Sequence, residues 1–309
     1  SNKLDTFSLD QIKEITNLTI YRTPDISLLD QIVIEINNAQ SRVLLETYIL
    51  TETRIQKALK EAFIRWVDVQ VILEKNPYMA YNINNKSFNN LESSGVPVVW
   101  SDSEDYSFNH SKFIIIDNHF YISTGNYSYS TFKYNRDFFI KSDDSEILDK
   151  ILEIYNHDYV WEKKDFYHPN IILSPFNSRH IFEKYFISAK KSIDVYFQYF
   201  KDEELVDNLI NQQQAWIQVT AIIPKTALKN NLQVINTMQK AWINFNIMSK
   251  KKMHSKVIII DKKYGFIWSI NFSSYSLDKN RELWLLIKNS KIIEELLDYF
   301  QDDIANNTV

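Results

Sequence analysis

Apolar and polar positions along the chain follow two periodicities, one typical of buried strands and the other of amphipathic helices. Short apolar runs such as FIII (113–116) and VIII (257–260) predict strands that are buried on both faces. Segments such as RIQKALKEAFIRW (54–66) place apolar residues three and four apart, which predicts helices with one buried face. Strands that alternate with helices in this way predict an α/β fold.

This succession of elements occurs twice. HSKFIIID begins at His110, HSKVIIID begins at His254, and the two octamers differ at one position. The flanking segments correspond in pairs with similar strands, turns and helices: 18–50 with 171–200, 54–73 with 204–223, and 87–100 with 232–248. We therefore predict two similar α/β sandwich halves, 1–165 and 166–309, packed about a pseudo-twofold axis. Such a chain is expected to be a monomer that contains an internal pseudo-dimer.

Composition narrows the class of protein. The 309 residues are 45% hydrophobic and 24% charged, which is ordinary for a globular protein, and the net charge of −4 gives no global attraction to nucleic acid. There is no cysteine, so disulfides and thiolate metal sites are excluded. The chain begins with Ser1 and Asn2 instead of methionine, so we expect that a preceding segment, either a signal peptide or a tag, was removed. The location is left open, with a secreted or cell-envelope protein favoured over a cytoplasmic one.

Each octamer belongs to a set of polar residues that suits phosphodiester chemistry. Histidine and lysine two apart on a strand share one face. Downstream lie an asparagine and, after an Asn–Arg pair, a carboxylate, which are Asn126 and Asp137 in one half and Asn271 and Glu282 in the other. Lysine ammonium and asparagine amide groups can bind a phosphoryl group. Two histidines can supply a nucleophile and a leaving-group acid, and a nearby carboxylate can orient an imidazole.

These motifs resemble those of the phospholipase D superfamily. That family is marked by two HxK(x4)D motifs, each followed by a GSxN-like segment and a downstream Glu or Asp. The resemblance covers the chain from about residue 18 to its end. It implies two α/β halves with a single active site at their interface, a phosphohistidine intermediate, and neither metal nor cofactor. The resemblance points to phospholipases D and to transphosphatidylases such as cardiolipin synthases.

The resemblance also implies a role for each motif residue. His110 corresponds to the nucleophile and His254 to the general acid. The other residues bind the phosphate (Lys112, Lys256, Asn126, Asn271), steady the imidazoles (Asp137, Glu282) or hold neighbouring loops (Asp117, Asp261), and the lysines and steadying carboxylates complete the catalytic set. The first half departs slightly from the family pattern. Asn126 lies one residue closer to its octamer than Asn271 does, and Asp137 stands where Glu is commoner.

Three interpretations of the substrate remain open. A phospholipid, cleaved or transferred with peripheral membrane contact, is favoured by the abundance of aromatic residues and the lack of a broad basic face. A metal-independent endonuclease would need a basic groove along its nucleic acid, against which the net charge of −4 argues mildly. The third interpretation is a non-catalytic scaffold whose site is obstructed by Trp268.

Aromatic residues close to the motif loops leave a further alternative open. They either line a mouth for acyl chains or stacked bases, or take part in ordinary packing. The residues concerned are Tyr78, Tyr81, Tyr127, Tyr129, Phe272 and Tyr275.

The tryptophans form a second pattern, in a chain with 7 Trp and only 3 Gly. Four junctions between a predicted helix and strand have a single punctuating residue. It is Gly95 at one junction, and at the others Trp66, Trp216 and Trp242. A helix that ends and reverses usually places such a residue in the left-handed conformation, which suits glycine and strains a large side chain.

Trp268 and Trp284 stand where the family pattern often has glycine, so five of the 7 Trp occupy positions suited to glycine. We hypothesise a decoding artefact, in which UGA codons that specify glycine were translated as tryptophan. The alternative is a chain that truly carries these residues as packed core aromatics. If the tryptophans are genuine, we expect lower stability at the helix ends and a narrowed site at Trp268.

Overall fold

The computed structural model describes residues 8–199, 201–269 and 273–308, apart from the side chain of Trp268. The chain forms two compact units. The first unit contains Thr16–Tyr167 together with Asn280–Glu282, and the second contains 8–15, His168–Lys279 and 283–308. Each unit has a seven-stranded sheet with helices, so the predicted α/β class with two similar halves is confirmed.

The strands and α-helices of the first unit follow one another in chain order from residue 19. They are β1 (Thr19–Arg22), α1 (Ile26–Asn38), β2 (Arg42–Thr47), α2 (Thr53–Ile64), β3 (Asp68–Leu73), α3 (Asn85–Glu92), β4 (Val98–Trp100), β5 (Lys112–Ile116), β6 (His119–Ser123), α4 (Tyr129–Lys133), β7 (Asn135–Arg136), β8 (Phe138–Ser142) and α5 (Ser145–Tyr159). The sheet order is β1-β8-β6-β5-β2-β3-β4. Strands β2, β3 and β4 run parallel to one another, and the remaining neighbours are antiparallel.

The second half repeats this plan. Its elements are β9 (Ile171–Ser174), α6 (Ser178–Ser188), β10 (Ser192–Tyr196), α7 (Glu203–Gln214), β11 (Gln218–Pro224), α8 (Ala227–Asn230), α9 (Leu232–Lys240), β12 (Asn244–Met248), β13 (Lys252–Met253), β14 (Val257–Ile260), β15 (Tyr264–Trp268), α10 (Ser274–Asp278), β16 (Glu282–Ile287) and α11 (Ser290–Asn307). The sheet order β9-β16-β15-β14-β10-β11-β12 matches that of the first sheet strand for strand. The duplication seen in the sequence is therefore a duplication of topology.

Each unit has its own hydrophobic core, because helices cover both faces of its sheet. In the first unit, α1 and α2 pack on one face with alternate residues of β5 (Leu28, Ile32, Ile55, Leu59, Ile114 and Ile116). On the other face, the ring of Phe113 lies 6.3 Å from that of Tyr155 on α5. In the second unit, Ile258 and Ile260 join the core beneath α6 and α7. Within the described residues, no helix is long and apolar enough to cross a membrane.

Carboxylates determine where several of these helices begin. The side chain of Asp25 accepts a hydrogen bond from the Ser27 N–H at the start of α1. Asp144 and Asp202 cap α5 and α7 in the same manner. These contacts satisfy N–H groups that have no partner within the helix, and the negative charge complements the positive end of the helix dipole.

The predicted glycine-like junctions share one hydrogen-bonded turn. After α3, the N–H of Gly95 donates to the carbonyl of Glu92 and the N–H of Val96 donates to that of Leu91, which is the Schellman arrangement. The same pair of bonds follows α2, α7 and α9, with a tryptophan in place of the glycine. The φ angles are 82° at Gly95 and 68°, 69° and 66° at Trp66, Trp216 and Trp242. The predicted left-handed conformation at these tryptophans is confirmed.

These three tryptophans are not core residues. Trp66, Trp216 and Trp242 are 95%, 93% and 86% exposed, so the alternative of packed core aromatics is wrong for them. Sequence reasoning missed a fourth case, since Trp161 ends α5 with φ 58° and the same type of turn. All four tryptophans have a left-handed backbone conformation. This conformation costs an L-residue free energy relative to the right-handed one.

Trp284 is different, because its side chain is fully buried in the second unit. The centroid of its ring lies 3.9 Å from that of Phe182. Aromatic pairs usually keep their centroids 4.5–7 Å apart. The indole is therefore a packed core aromatic, but in a crowded space, and the hypothesis of a smaller native residue stays a prediction here.

A buried carboxyl should make the stability of the second unit depend on pH. Burial raises the pKa of Asp194 on β10 from 3.8 to about 6, although the charge of Lys262 opposes this. A raised folded-state pKa stabilises the fold below the ordinary pKa, and this stabilisation is lost as the pH rises through about 6. We expect the group to lower the free energy of unfolding by about 2 kcal/mol between about pH 4 and about pH 8. Urea titrations of wild type and Asp194→Asn should show a shallower pH dependence in the variant, and parallel pH curves would contradict the assignment.

Candidate active site

The first unit holds His110 in a fixed orientation. The Nδ1 atom of its imidazole lies 3.0 Å from Oε2 of Glu282, whose side chain is fully buried. The other oxygen of Glu282 accepts a hydrogen bond from the amide of Asn280. A carboxylate at Nδ1 favours the tautomer with the proton on Nδ1, so that Nε2 carries a lone pair. This arrangement suits a nucleophilic or basic histidine.

The backbone on either side of this pair is also fixed. The N–H of His110 donates to the carbonyl of Arg281 at 2.8 Å, and the N–H of Arg281 donates to the carbonyl of Phe108 at the same distance. The two segments therefore form a short parallel ladder. These backbone hydrogen bonds place the imidazole of His110 beside the carboxylate of Glu282, independently of the contact between the two side chains.

A lysine and a tyrosine enclose the histidine. Nζ of Lys112 donates to the carbonyl oxygen of His110 at 2.6 Å, and this lysine is only 2% exposed. The ring of Tyr48 meets the imidazole edge-on, with centroids 4.4 Å apart. The ammonium lies 5.2 Å from the centre of the same tyrosine ring. An ammonium has three donors, so a lysine in this position can bind its own backbone and an anionic ligand together.

Buried carboxyl groups position the residue that precedes the histidine. The amide of Asn109 donates to Oε1 of Glu46 at 2.8 Å, and its backbone N–H donates to Oε2 of Glu74 at 2.7 Å. Its own side-chain oxygen accepts the N–H of Ser111. Burial raises the pKa of Glu74, although the N–H groups of Asn76 and Asn109 oppose this. Asn109 is therefore fixed through its side chain and its backbone.

A charged pair lies next to this network. The guanidinium of Arg281 binds Asp158 through two contacts, at 2.9 and 3.0 Å, and both side chains are buried. Burial, and then the negative charge of Asp158, raise the pKa of Glu46 well above its ordinary value. The Arg281–Asp158 pair ties residues 280–282 to the elements around His110 within the first unit.

The second motif has a local geometry like that of the first. Nζ of Lys256 donates to the carbonyl oxygen of His254 at 2.6 Å, the same bond and distance as between Lys112 and His110. Its ammonium also lies 3.3 Å from Nε2 of that imidazole. Lys256 is 1% exposed, so each unit buries a lysine cation beside a histidine.

The structure places the remaining residues of the first motif close to one another. Asn126 is half-buried, and within the described residues its side-chain oxygen is a buried atom that makes no hydrogen bond. Asp137 is fully buried, and its carboxylate accepts the hydroxyl of Thr124 at 2.6 Å. A Cβ on Gly125 would lie 2.8 Å from that carboxylate, which explains why the loop has glycine there. Their phosphate-binding and imidazole-orienting roles stay predictions.

The motif aspartates end their strands in tight turns. The carboxylate of Asp117 accepts the backbone N–H groups of Gln40, Ser41 and Arg42, at 3.0, 2.8 and 3.1 Å. That of Asp261 accepts the equivalent three N–H groups of residues 190–192 in the second unit. Partial burial raises the pKa of Asp117, but these bonds outweigh it and hold the pKa below its ordinary value. The contacts favour the structural role that the sequence suggests.

Asp117→Asn should therefore reduce stability more than activity. An amide can donate as well as accept, so it cannot replace a carboxylate that accepts three N–H groups. We expect the free energy of unfolding of the first unit to fall by about 1.5 kcal/mol, with kcat changed less than about threefold. Thermal melts and turnover of the same preparation measure both quantities, and Asp261→Asn gives the matched comparison. A fall in kcat of about a hundredfold at an unchanged melting temperature would assign Asp117 to the chemistry instead.

Several sequence predictions fall outside the described part of the chain. Asn271 and Phe272 lie there entirely, and so does the side chain of Trp268, on which the obstructed-site interpretation depends. Among the other aromatic residues, Tyr127 is fully buried and takes part in ordinary packing. Those with exposed rings are Tyr78, Tyr81, Tyr129 and Tyr275.

Sequence reasoning identified Glu282 but missed three acids close to His110, namely Glu46, Glu74 and Asp158. Glu46 gives a signal, since it is a charged residue at the end of the apolar run RVLLET. Buried charges of this kind need partners. The partners are distant in sequence. Arg281 belongs to the repeated Asn–Arg pair that precedes each motif carboxylate, but no local pattern identifies Asp158 as its partner. Within the described residues, no three His, Asp or Glu side chains form a group that could hold a metal ion.

Comparisons with known proteins identify the family of the chain. The family model described as cardiolipin synthase, PLD-like domain matches the chain twice, at 32–159 and 183–304. A phospholipase D of Rickettsia typhi is 30% identical over 122 residues, and one of Rickettsia conorii is 28% identical over 120 residues. These matches cover 39% and 38% of this chain. The chain spans about 60% of the length of the curated relatives it matches.

A solved structure shows the same fold over nearly the whole chain. The crystal structure of phosphatidylserine synthase from Haemophilus influenzae Rd KW20 matches with a TM-score of 0.76 and 12% identity. The match covers 99% of this chain and 90% of that one. At 12% sequence identity, the match shows a shared fold and nothing about activity. With both halves matched by the same family model, the chain belongs to the phospholipase D superfamily and carries two PLD-like domains of the cardiolipin synthase type.

Proposed function

We propose that the chain is a phosphodiesterase of the phospholipase D type, which cleaves or transfers the phosphodiester of a phospholipid through a phosphohistidine. The observation that carries the proposal is the first-unit pair, in which Glu282 contacts Nδ1 of a buried His110 and Lys112 lies against the same residue. The His–Lys geometry recurs at His254 and Lys256.

The first chemical step would form the covalent intermediate. Nε2 of His110 attacks the phosphorus, the bond from phosphorus to the leaving alcohol breaks, and the electron pair of that bond stays on the alcohol oxygen. His254, protonated, gives its proton to that oxygen. As His110 becomes positively charged on forming the N–P bond, the carboxylate of Glu282 stabilises it.

The second step would reverse these roles. Neutral His254 takes a proton from water, or from an acceptor alcohol, as its oxygen attacks the phosphohistidine. The N–P bond breaks, and His110 recovers its lone pair. Water gives hydrolysis and an alcohol gives phosphatidyl transfer. Lys112 and Lys256, with the amides of Asn126 and Asn271, would stabilise the negative charge that the equatorial oxygens carry in both steps.

Two observations favour a phospholipid over other phosphodiesters. The matching family model is described as a cardiolipin synthase domain, and the relatives from Rickettsia are named phospholipase D. The net charge of −4 gives no general attraction to a nucleic acid backbone.

A three-substrate assay in excess EDTA tests the proposal. Choline release from phosphatidylcholine, phosphatidyl transfer to added glycerol and cleavage of single-stranded DNA are measured on one preparation. We expect release or transfer at rates that EDTA does not change. Loss of activity in EDTA would contradict the metal-independent mechanism, DNA cleavage alone would identify a nuclease, and no turnover of any substrate would support the obstructed scaffold.

A further inference from the structure

A short loop beside His110 holds apolar side chains in water. It follows β3 and precedes α3, and it is here named the aromatic loop (residues 75–83). Within it, Tyr78 is 65% exposed, Met79 81% and Tyr81 67%. Three large, apolar or amphipathic side chains within four positions form a local patch, unlike a single exposed residue that needs no explanation.

The base of the loop is fixed. The N–H of Tyr78 donates to the hydroxyl of Tyr48 at 2.5 Å. The fully buried amide of Asn84 binds the N–H of Leu50 and the carbonyls of Tyr48 and Glu74, at 2.8 to 3.0 Å. These bonds determine where the loop begins and ends. They leave the apolar side chains pointing into solvent instead of into the core.

The backbone at the tip supports this orientation. Met79 and Asn82 have φ angles of 56° and 63°, in the left-handed region. Asparagine tolerates that conformation, whereas methionine is strained there. A strained backbone that presents an exposed methionine suggests that the exposure of this side chain serves binding.

The loop also lies next to the candidate site. Tyr48, which accepts the Tyr78 N–H, has its ring edge-on to His110 with centroids 4.4 Å apart. The ring of Tyr78 lies 6.4 Å from that of Phe108, two residues before the histidine. A surface that binds the loop would therefore be brought close to the nucleophile.

The charge of the segment indicates what kind of surface that is. From Lys75 to Leu91 the chain carries two lysines and no carboxylate, and both Lys75 and Lys86 are exposed. Tyrosine, with an apolar ring and a polar hydroxyl, suits the boundary between lipid headgroups and acyl chains. Exposed lysines around an apolar patch add attraction to anionic lipids.

We propose that the aromatic loop docks the first unit on a phospholipid bilayer, by inserting Tyr78, Met79 and Tyr81 at the headgroup boundary with Lys75 and Lys86 against the phosphates. The proposal deepens the function proposed above. It rests on that function, because docking on a bilayer would bring the active site to a phospholipid substrate. It assigns these side chains to recognition of the lipid surface. They have no part in the chemistry of the phosphodiester.

The experiment compares the full-length wild type with the triple variant Tyr78→Ser, Met79→Asn, Tyr81→Ser. Asparagine at position 79 suits the left-handed backbone, and none of the three changes removes a buried side chain. A matched control, Ile34→Ser with Ile64→Ser, removes apolar side chains that are 56% and 71% exposed on α1 and α2. Binding is measured by co-sedimentation with sucrose-loaded vesicles of phosphatidylcholine and phosphatidylglycerol. Turnover is measured separately with monomeric dihexanoyl-phosphatidylcholine.

We expect the vesicle partition coefficient of the triple variant to fall at least about tenfold, with the control unchanged and turnover of the monomeric lipid within about twofold of wild type. Equal vesicle binding by variant and wild type, or no binding by the wild type, would overturn the proposal. A variant that keeps vesicle binding and loses turnover of the monomeric lipid would also overturn it, because the loop would then act on the substrate. A wild type that binds vesicles and cleaves neither lipid form would contradict the proposed function and leave the docking intact.

Discussion

Replacing His110 with alanine should lower kcat for phosphodiester cleavage by about ten-thousand-fold or more, with melting temperature almost unchanged. The imidazole is the proposed nucleophile, and no neighbouring side chain can replace a nitrogen that is oriented by Glu282 at 3.0 Å. Substrate binding should survive, because the phosphate is expected to bind the lysines and asparagines. Single-turnover kinetics with a labelled phospholipid measures the chemical step apart from product release.

Two companion variants make this result specific. His254→Ala should also lose most of its turnover on substrates with poor leaving groups, and much less on a nitrophenyl ester whose leaving group needs no proton. His180→Ala is the matched control, because this histidine has no counterpart in the repeated motif, and its kcat should stay within about twofold. Normal turnover in both His110→Ala and His254→Ala would show that the site is wrongly assigned.

Replacing Trp66, Trp216 and Trp242 with glycine should stabilise the protein. An L-residue in the left-handed region costs about 1–2 kcal/mol, and glycine removes this strain. Glycine also raises the conformational entropy of the unfolded chain, which offsets part of the stabilisation. The net gain is about 1 kcal/mol a site, or about 3 kcal/mol for the triple variant, since the three lie on different helices. Little packing is lost, because these indoles are 86% to 95% exposed.

Urea titration of single and triple variants measures this gain, with Trp66 reporting on the first unit and the other two on the second. Trp100→Gly is the control that should destabilise, because the indole of Trp100 stacks on Phe88 at 3.9 Å. No gain in any single variant would contradict the strain argument. The coding DNA tests the decoding hypothesis independently, and UGG at these positions would refute it.

The duplicated α/β plan could be predicted from the sequence because short local patterns of apolar and polar residues determine it. The apolar runs at 113–116 and 257–260 determine the central strands β5 and β14. The single residue between each helix and the next strand predicted left-handed turns, and Trp66, Trp216 and Trp242 adopt them. The left-handed turn at Trp161 was not predicted, because no strand directly follows α5 and the prediction depended on a helix followed at once by a strand.

The environment of His110 could not be predicted in the same way. Its partner Glu282 lies 172 residues further along the chain, and the guanidinium of Arg281 meets Asp158 across 123 residues. Such pairs depend on how distant segments pack together. The sequence marks both carboxylates of the motif, but tertiary structure decides that Glu282, in the second half of the chain, contacts the histidine of the first.

The covalent intermediate gives the most direct test of the central claim. The enzyme is mixed with phosphatidylcholine labelled with ³²P, quenched in alkali within the first turnovers, digested, and the labelled peptide is mapped. We predict an alkali-stable, acid-labile phosphohistidine at His110, formed in wild type and absent from His110→Ala. A wild type that turns over the lipid with no labelled protein, or with the label on another residue, would contradict the account.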